Sequence, residues 1–178
     1  MEDEAELSTF PTLTRMWMRR GKQRKIRAPG VSPVKRHEVA AVDWRTGDIV
    51  RIRSEKRNAA AFCKLAEKCV ERSAKRKRRA IMVLDRANFH RPEKSKLVRE
   101  LAARYGRSLT LRYIPSYSPD CMPMEMLWND WRDNVTHNHD RSKIADLEAD
   151  SDRYFKRRKK HRASVLKTIN SPFQNHTY

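Results

Sequence analysis

Five consecutive apolar residues at 80–84, followed at once by Asp85, constrain the fold of this chain more than any other feature. An unbroken apolar run of this length is typical of a β-strand that is buried on both faces. Such a strand needs helices against both sides of its sheet, so the run predicts an α/β domain. It also places Asp85 at the carboxyl end of a strand, where binding and catalytic residues commonly lie.

Apolar spacing predicts a helix on either side of this strand. From Ala59 to about Lys75, apolar residues recur at intervals of three and four, which indicates one face of an α-helix. A second helix is predicted at 97–105, with Gly106 at its end, and a second strand at 109–114. Helix and strand therefore alternate through the middle of the chain.

The segments on either side of this alternation are predicted to add a hairpin and more helix. Two β-prone runs at 39–42 and 49–52 flank a turn-forming segment and predict an antiparallel hairpin. Residues 11–36 lack periodicity and predict a strand edge and loop. After a Pro-rich loop, helical spacing resumes at 124–135, and the charged sequence beyond Asn138 carries a sparse apolar stripe that also predicts helix.

The charge balance indicates a polyanionic partner. The 178 residues include 41 Lys and Arg against 22 Asp and Glu, a formal net charge of +19. Nucleic acid fits better than a membrane, because no stretch approaches the roughly 18 apolar residues of a spanning helix. The acidic start lacks the apolar run of a signal peptide, which predicts an intracellular protein. The leading candidates for phosphate contacts are Arg15, Arg19, Arg20, Lys22, Arg24 and Lys25.

The cysteines Cys63, Cys69 and Cys121 include no CxxC pair. This argues against a zinc ribbon and against a secreted disulfide framework, and it predicts reduced thiols. Cys63 and Cys69 fall within the first predicted helix, where small buried apolar residues are the ordinary interpretation.

Three carboxylates stand out by their positions: Asp3 near the start, Asp85 after the buried strand, and Glu125 at the start of a helix. Each also has an ordinary structural interpretation, because acids are favoured in a first helical turn and often cap the element after a strand. Together they suit phosphodiester chemistry, in which separated carboxylates hold two Mg²⁺ ions about 3.5–4 Å apart.

Four stretches of the chain resemble, in the same order, the motifs of the mariner-superfamily bacterial transposases of the DDE class. They are Asp3-Glu4, residues 11–17 with Gly21, residues 83–90, and residues 113–125 with Trp128. The resemblance runs from residue 3 to about 140. It implies an RNase H-like, retroviral-integrase-like fold with a mixed sheet flanked by helices, as a catalytic domain at 1–140, followed by a charged helical extension at 141–178.

The resemblance also implies a function. Asp3, Asp85 and Glu125 would be the catalytic triad and the ligands of two Mg²⁺ or Mn²⁺ ions, in an enzyme that cleaves insertion-sequence DNA and transfers the strand. Double-stranded DNA, as transposon ends and target, would be the partner of a homodimer in the prokaryotic cytoplasm, at the nucleoid. Arg86 would contact DNA. His90 would contact DNA or support the metal ligands, or else simply pack at the strand end.

Departures from the family pattern support an alternative, a catalytically inactive remnant that only binds DNA. Arg86 stands where the family usually has Asn, Ser116 where it has a second Pro, and residues 121–124 where Leu-Asn-Pro-Ile is typical. The interval from Asp85 to Glu125 is also a few residues longer than usual. A small basic RNA-binding protein is a third hypothesis, which explains the charge but leaves the order of the motifs unexplained.

Two further expectations concern the ends of the resemblance. In the family, the first aspartate ends a central strand, and only Met1 and Glu2 precede Asp3 here. A truncated first strand and a poorly folded isolated chain are therefore expected, unless residues 3–10 or another chain fill the gap. The tripeptide 137–139, His-Asn-His, is interpreted as a coincidental match to a nuclease name, because no third ligand lies at a suitable local spacing.

Overall fold

A computed structural model describes residues 1–27, 30, 32–115 and 122–172. The strands are β1 (Glu2–Ser8), β2 (Lys35–Val42), β3 (Ile49–Ser54), β4 (Ala80–Leu84) and β5 (Leu109–Tyr113). The helices are α1 (Ala59–Ala74), α2 (Lys96–Tyr105), α3 (Met124–Val135), α4 (Ile144–Lys160) and α5 (Arg162–Thr168). A short 3₁₀ turn covers Asn88–His90.

The first sheet is antiparallel, with the strand order β1-β2-β3. Its second and third strands form the hairpin expected from the sequence, and Val42 pairs with Ile49 beside the turn. Gly47 occupies this turn at φ +67, a backbone region that favours glycine. A side chain there would also meet the backbone of α5, because a Cβ atom would lie 2.4 Å from the carbonyl oxygen of Arg162.

The second sheet consists of β4 and β5, which pair in parallel and are connected through α2. The strand expected at 80–84 is confirmed, but its burial on both faces is wrong, because Ala80, Met82 and Leu84 are buried whereas Ile81 is 63% exposed. The flanking helices are confirmed, and their starts are capped by the side chains of Asn58 and Ser95. β1 lies beside β4, but the two sheets share no ladder within the described residues. The expected mixed sheet is therefore divided in two, with a cavity of about 480 Å³ between Met1, Val42 and Met82 at the division.

β1 begins at Glu2, in the acidic first residues of the sequence, and extends past Asp3. Asp3 is the second residue of this strand and pairs with Ala40, and the strand continues to Ser8. The expectation that the strand would end at Asp3 is wrong. The strand forms from the residues that follow Asp3 because Ala5 and Leu7 alternate with polar residues and bury their side chains on one face.

The first sheet is covered by helices on both faces. On one face, α1 packs against Val39 and Ala41 through Ala61 and Leu65. On the other face, β1, β2 and β3 share a larger core with α3, α4 and α5. The largest side chains of that core are Trp128, Trp131 and Phe155, which are buried and meet edge to face.

The charged segment beyond residue 140 is helical, as expected from its apolar stripe. The core that contains Trp128 also contains Leu147 and Phe155 of α4, Val165 of α5, and Ile169, which follows α5. A buried polar chain adds to this packing, because Trp131 donates to the hydroxyl of Ser151 and Ser151 donates to Glu38, at 3.0 and 2.8 Å. No helix within the described residues is both long and apolar enough to cross a membrane.

We expect Phe155→Ala to lower the free energy of unfolding by about 3–5 kcal/mol, because it empties a buried site in α4. Phe155 is 1% exposed, whereas Phe10 is 40% exposed, so Phe10→Ala removes the same ring from the surface as a matched control. The control should cost less than about 1 kcal/mol. Urea titrations followed by tryptophan fluorescence measure both values. Equal losses for the two variants would contradict the packing of α4 into the core.

Candidate metal and nucleic-acid site

Asp3 lies on the face of β1 that carries Ala5 and Leu7, because side chains alternate along a strand. That face packs against α3, and Glu125 lies in the first turn of this helix. Burial raises the pKa of Asp3 to about 6, and the negative charges of Glu4, Glu125 and Asp85 contribute to the same shift. Asp3 is therefore close enough to both other members of the predicted triad to be repelled by them.

Asp85 follows β4 directly, as expected, and its side chain is 42% exposed. Its Oδ1 atom accepts hydrogen bonds from Nδ1 of His90 at 2.7 Å and from the backbone N–H of Ala87 at 2.9 Å. The hydrogen bond from His90 is the main cause that lowers the pKa of Asp85. Within the described part of the chain, Oδ2 has no hydrogen-bond donor, so this oxygen remains available to a ligand.

Glu125 lies in the first turn of α3, where the helix dipole favours a negative charge. Its Oε1 atom accepts a hydrogen bond from Arg132 of the same helix at 2.7 Å, and its side chain is 51% exposed. Residues 116–121 of the preceding Pro-rich loop, which include Ser116 and Cys121, lie outside the described residues. Among the described residues, the backbone of α3 and the contact with Arg132 determine where Glu125 lies.

A second group of possible metal ligands, near the predicted triad, is more closely spaced than the triad. The charges of Asp85 and Glu125 contribute to the raised pKa of Asp3, but the hydrogen bonds of Asp85 and Glu125 go to separate partners, His90 and Arg132. Among the described residues, three possible metal ligands lie within 4.8 Å of one another at Glu2, Glu4 and His90. No local sequence pattern marks Glu2 or the side chain of Glu4 as a ligand. A predicted strand that continues past Asp3 would have placed Glu2 and Glu4 on one face, opposite Asp3, because they are two residues apart.

His90 connects these two groups of acids. It is 1% exposed and lies between the rings of Phe62 and Phe89, with ring centroids 4.7 and 4.4 Å away. Burial opposes its protonation, but hydrogen bonds with Asp85 and Glu4 outweigh burial and raise the pKa of His90 to about 10. Its side chain is buried and hydrogen-bonded to Asp85, and the roles expected for it in DNA contact and in support of the metal ligands stay predictions.

The six cationic residues expected to contact phosphate all lie on the connection between β1 and β2, and all are exposed. None of them forms an ion pair with a carboxylate in the described part of the chain. A turn at residues 19–22 brings the two halves of the basic run together, with Gly21 at φ +75. The connection therefore presents uncompensated positive charge to solvent.

Asn138 holds the start of this connection in place. Its side chain accepts from the N–H of Thr14 and donates to the carbonyl of Thr14, both at 3.0 Å, and its N–H donates to Thr12. His139 contacts the carbonyl of Ser8 at 3.0 Å, and His137 pairs with Asp133. The tripeptide 137–139 is thus an anchor for the basic connection in the structure.

Two further arginines lie near Asp85. Arg86 is exposed, and its Nε donates to the carbonyl of Ile114 at 3.1 Å, which joins the ends of β4 and β5. Arg57 lies before α1, stacks over Phe89 at 5.4 Å, and helps to lower the pKa of Asp85. No local pattern in the sequence indicates that Arg57 approaches Asp85.

The two described cysteines, Cys63 and Cys69, are free thiols that pack beside the apolar core around α1. Burial raises the pKa of Cys63 to about 11 and that of Cys69 to about 12. Both thiols are therefore protonated and uncharged at neutral pH. This fits the interpretation of the two cysteines as small apolar side chains.

Comparison with known proteins identifies sequence relatives. Residues 1–148 match the sequence model of a family described as DDE superfamily endonuclease. The insertion element IS630 uncharacterized 39 kDa protein of Shigella sonnei is 23% identical over 146 residues, which cover 82% of this chain. The chain spans 41% of the length of that relative.

Solved structures with the same fold are transposase complexes. The Mos1 transposase paired-end complex with left transposon end has a TM-score of 0.65 at 16% identity. The Mos1 mariner paired end complex with Mn has a TM-score of 0.67 at 15% identity. Each match covers 97% of this chain and 51% of the solved chain. The RNase H-like α/β fold expected from the sequence is confirmed.

We expect Asp3→Asn to raise the free energy of unfolding at about pH 7.5 by about 1–3 kcal/mol, because it removes a buried, repelled charge. The pKa of Asp3 is about 6 in the folded chain, above its ordinary value, so the folded state binds this proton more tightly than the unfolded chain. Stability contributed by the protonated carboxyl is present below about pH 4 and is lost as the pH rises through 6.

The matched control is Glu6→Gln, which changes an acid on the same strand that is 42% exposed and paired with Lys35. It should change stability by less than about 0.5 kcal/mol at either pH. Thermal unfolding at about pH 4 and 7.5 checks both variants. A gain for Asp3→Asn that is the same at the two pH values would contradict this account of its charge.

Proposed function

Since the chain belongs to the DDE superfamily of endonucleases, among transposases of the IS630 and mariner type, we propose that it is a catalytic domain that cuts and joins insertion-sequence DNA. The observation that carries the proposal is the match of residues 1–148 to the family's sequence model, a range that includes Asp3, Asp85 and Glu125. The negative charges of Glu125 and Asp85 both act on Asp3, and a bound cation would relieve that repulsion.

We assign metal binding to Asp3, Asp85 and Glu125. Their all-oxygen donor set suits Mg²⁺ or Mn²⁺, which in two-metal sites activate a water and the scissile phosphate. One of the similar solved structures is a paired-end complex with Mn. The role of His90 is to hold Oδ1 of Asp85, together with the N–H of Ala87, so that Oδ2 keeps a fixed position at the site.

The proposed DNA surface consists of the basic connection between β1 and β2, with Arg57 and Arg86 beside Asp85. The basic connection would neutralise DNA phosphates over an extended surface. Arg57 and Arg86 would hold the DNA backbone near the site of cleavage. Cleavage leaves a 3′ hydroxyl, which then attacks target DNA at the same carboxylates without a covalent protein intermediate. Two transposon ends need two such sites, so we propose that the active form is a homodimer.

A second candidate function is DNA binding without cleavage. The specific observation in its favour is the guanidinium of Arg86, which follows Asp85 and lies where the family usually has Asn. A fixed positive charge there competes with a metal ion for Asp85. Nicking of plasmid DNA that depends on Mn²⁺ separates the two functions.

We expect Asp3→Ala, Asp85→Ala and Glu125→Ala each to abolish nicking of supercoiled plasmid in Mn²⁺, with DNA affinity changed less than about threefold. The carboxylates hold metal, whereas the basic surface holds phosphate. Glu6→Ala is the matched control, because Glu6 lies on β1 next to the site but pairs with Lys35. Near-normal nicking by any one of the three variants removes that residue from the site, and absence of nicking by the unaltered chain favours the inactive function.

We expect duplex DNA binding to weaken steeply with salt, since each phosphate contact contributes a slope of about −0.9 in log affinity against log salt. Replacing Arg19, Arg20 and Lys22 with Gln should make that slope shallower by up to about 2.7. The control is Lys96→Gln, a lysine that is 81% exposed and lies next to Glu100 on α2. Fluorescence anisotropy measures the slopes. Tighter binding of structured RNA than of duplex DNA would favour the RNA-binding hypothesis instead.

A further inference from the structure

We propose that Glu2, Glu4 and His90 form a separate binding site for one transition-metal ion of the Zn²⁺ class, buried behind Asp85. This group lies on the opposite face of β1 from Asp3, because Glu2 and Glu4 share one face of the strand. It is formed by residues of β1 and of the 3₁₀ turn after β4. The assignment does not depend on the Mg²⁺ or Mn²⁺ site proposed above.

The two distances from His90 to the glutamates are close to those between ligand atoms around a tetrahedral ion. Nε2 of His90 lies 3.2 Å from Oε1 of Glu4 and 3.5 Å from Oε2 of Glu2. An ion with bonds of about 2.0–2.1 Å holds tetrahedral ligand atoms about 3.3–3.4 Å apart. All three ligand atoms lie within 4.8 Å of one another. Small movements of the side chains would therefore complete three bonds to one ion.

The second ring nitrogen of His90 is held in the way that metal-binding histidines usually are. Its Nδ1 donates to Oδ1 of Asp85 at 2.7 Å, which fixes the plane of the ring and directs Nε2 at the two glutamates. A carboxylate that accepts from the remote nitrogen is the usual partner of a metal-bound imidazole. The ion would take the place of the Nε2 proton.

Glu2 supplies an independent reason for a ligand at this place. Its side chain is 0% exposed, and neither carboxylate oxygen has a hydrogen-bond partner in the described part of the chain. The contact with His90 at 3.5 Å is an ion-pair distance and does not meet hydrogen-bond geometry. A buried carboxylate that accepts no hydrogen bond is unfavourable, and a cation bound directly to it would remove that cost.

The donor types distinguish this site from the predicted triad. One imidazole nitrogen with two carboxylates suits Zn²⁺ and similar transition metals, whereas Mg²⁺ prefers oxygen ligands alone. The walls of the site are apolar, since Phe62 and Phe89 lie against the imidazole. An ion held there would lock His90, and through it Oδ1 of Asp85, in one position.

The test is zinc retention by the full chain. The protein is stripped with EDTA, loaded with one equivalent of Zn²⁺ in the presence of about 10 mM Mg²⁺, and separated by gel filtration before its zinc content is measured. We expect about one Zn²⁺ per chain, and at least tenfold weaker binding in Glu2→Gln and Glu4→Gln. Both substitutions keep side-chain size and one acceptor oxygen, so they remove the charge of the ligand with little change in packing.

Asp3→Asn and Glu125→Gln are the controls, because they alter the proposed Mg²⁺ ligands on the other side of the strand. Both should bind Zn²⁺ as the unaltered chain does. Failure of the unaltered chain to retain Zn²⁺ would overturn the proposal, as would zinc loss in the controls with retention in Glu2→Gln. The first result would show that His90 and the glutamates share protons without a metal. Neither result bears on Mn²⁺-dependent nicking, which tests the function proposed above.

Discussion

The alternation of side chains along β1 is the constraint on which the rest of the structure depends. Ala5 and Leu7 turn to the core shared with α3, α4 and α5, and Asp3 lies on the same face. Glu2 and Glu4 turn to the opposite face, where they meet His90. One strand therefore anchors the main core and places acids on both of its sides. A shift of one residue would bury Asp3 against His90 and expose Leu7.

The buried acids of this chain fall into two kinds. Away from β1 they are neutralised by arginine: Glu38 pairs with Arg51 and Arg53, and Asp48 pairs with Arg72 and Arg76. These pairs join β2, β3 and α1 and account for the burial of their carboxylates. On β1, by contrast, Asp3 and Glu2 have no arginine or lysine partner among the described residues. The contrast separates acids that stabilise the fold from acids suited to bind cations.

His90 joins one face of β1 to the end of β4. It contacts Glu2 and Glu4 on one side and Asp85 on the other, and the two sheets share no backbone ladder at this point in the described chain. Side-chain contacts therefore hold β1 and β4 together where hydrogen-bonded strands would otherwise do so. The position of Asp85 relative to Asp3 depends on those contacts.

The sequence by itself determined the elements from α1 to β5, helix α3 and the positions of Asp85 and Glu125 at their ends, because each depends on spacing within a few residues. Tertiary structure alone decided that β1 continues past Asp3 to Ser8, that Glu2 is buried, and that α4 packs into the core. It also decided the anchor between Thr14 and Asn138, which are 124 positions apart. These features depend on which distant surfaces meet, and local periodicity carries no information about such contacts.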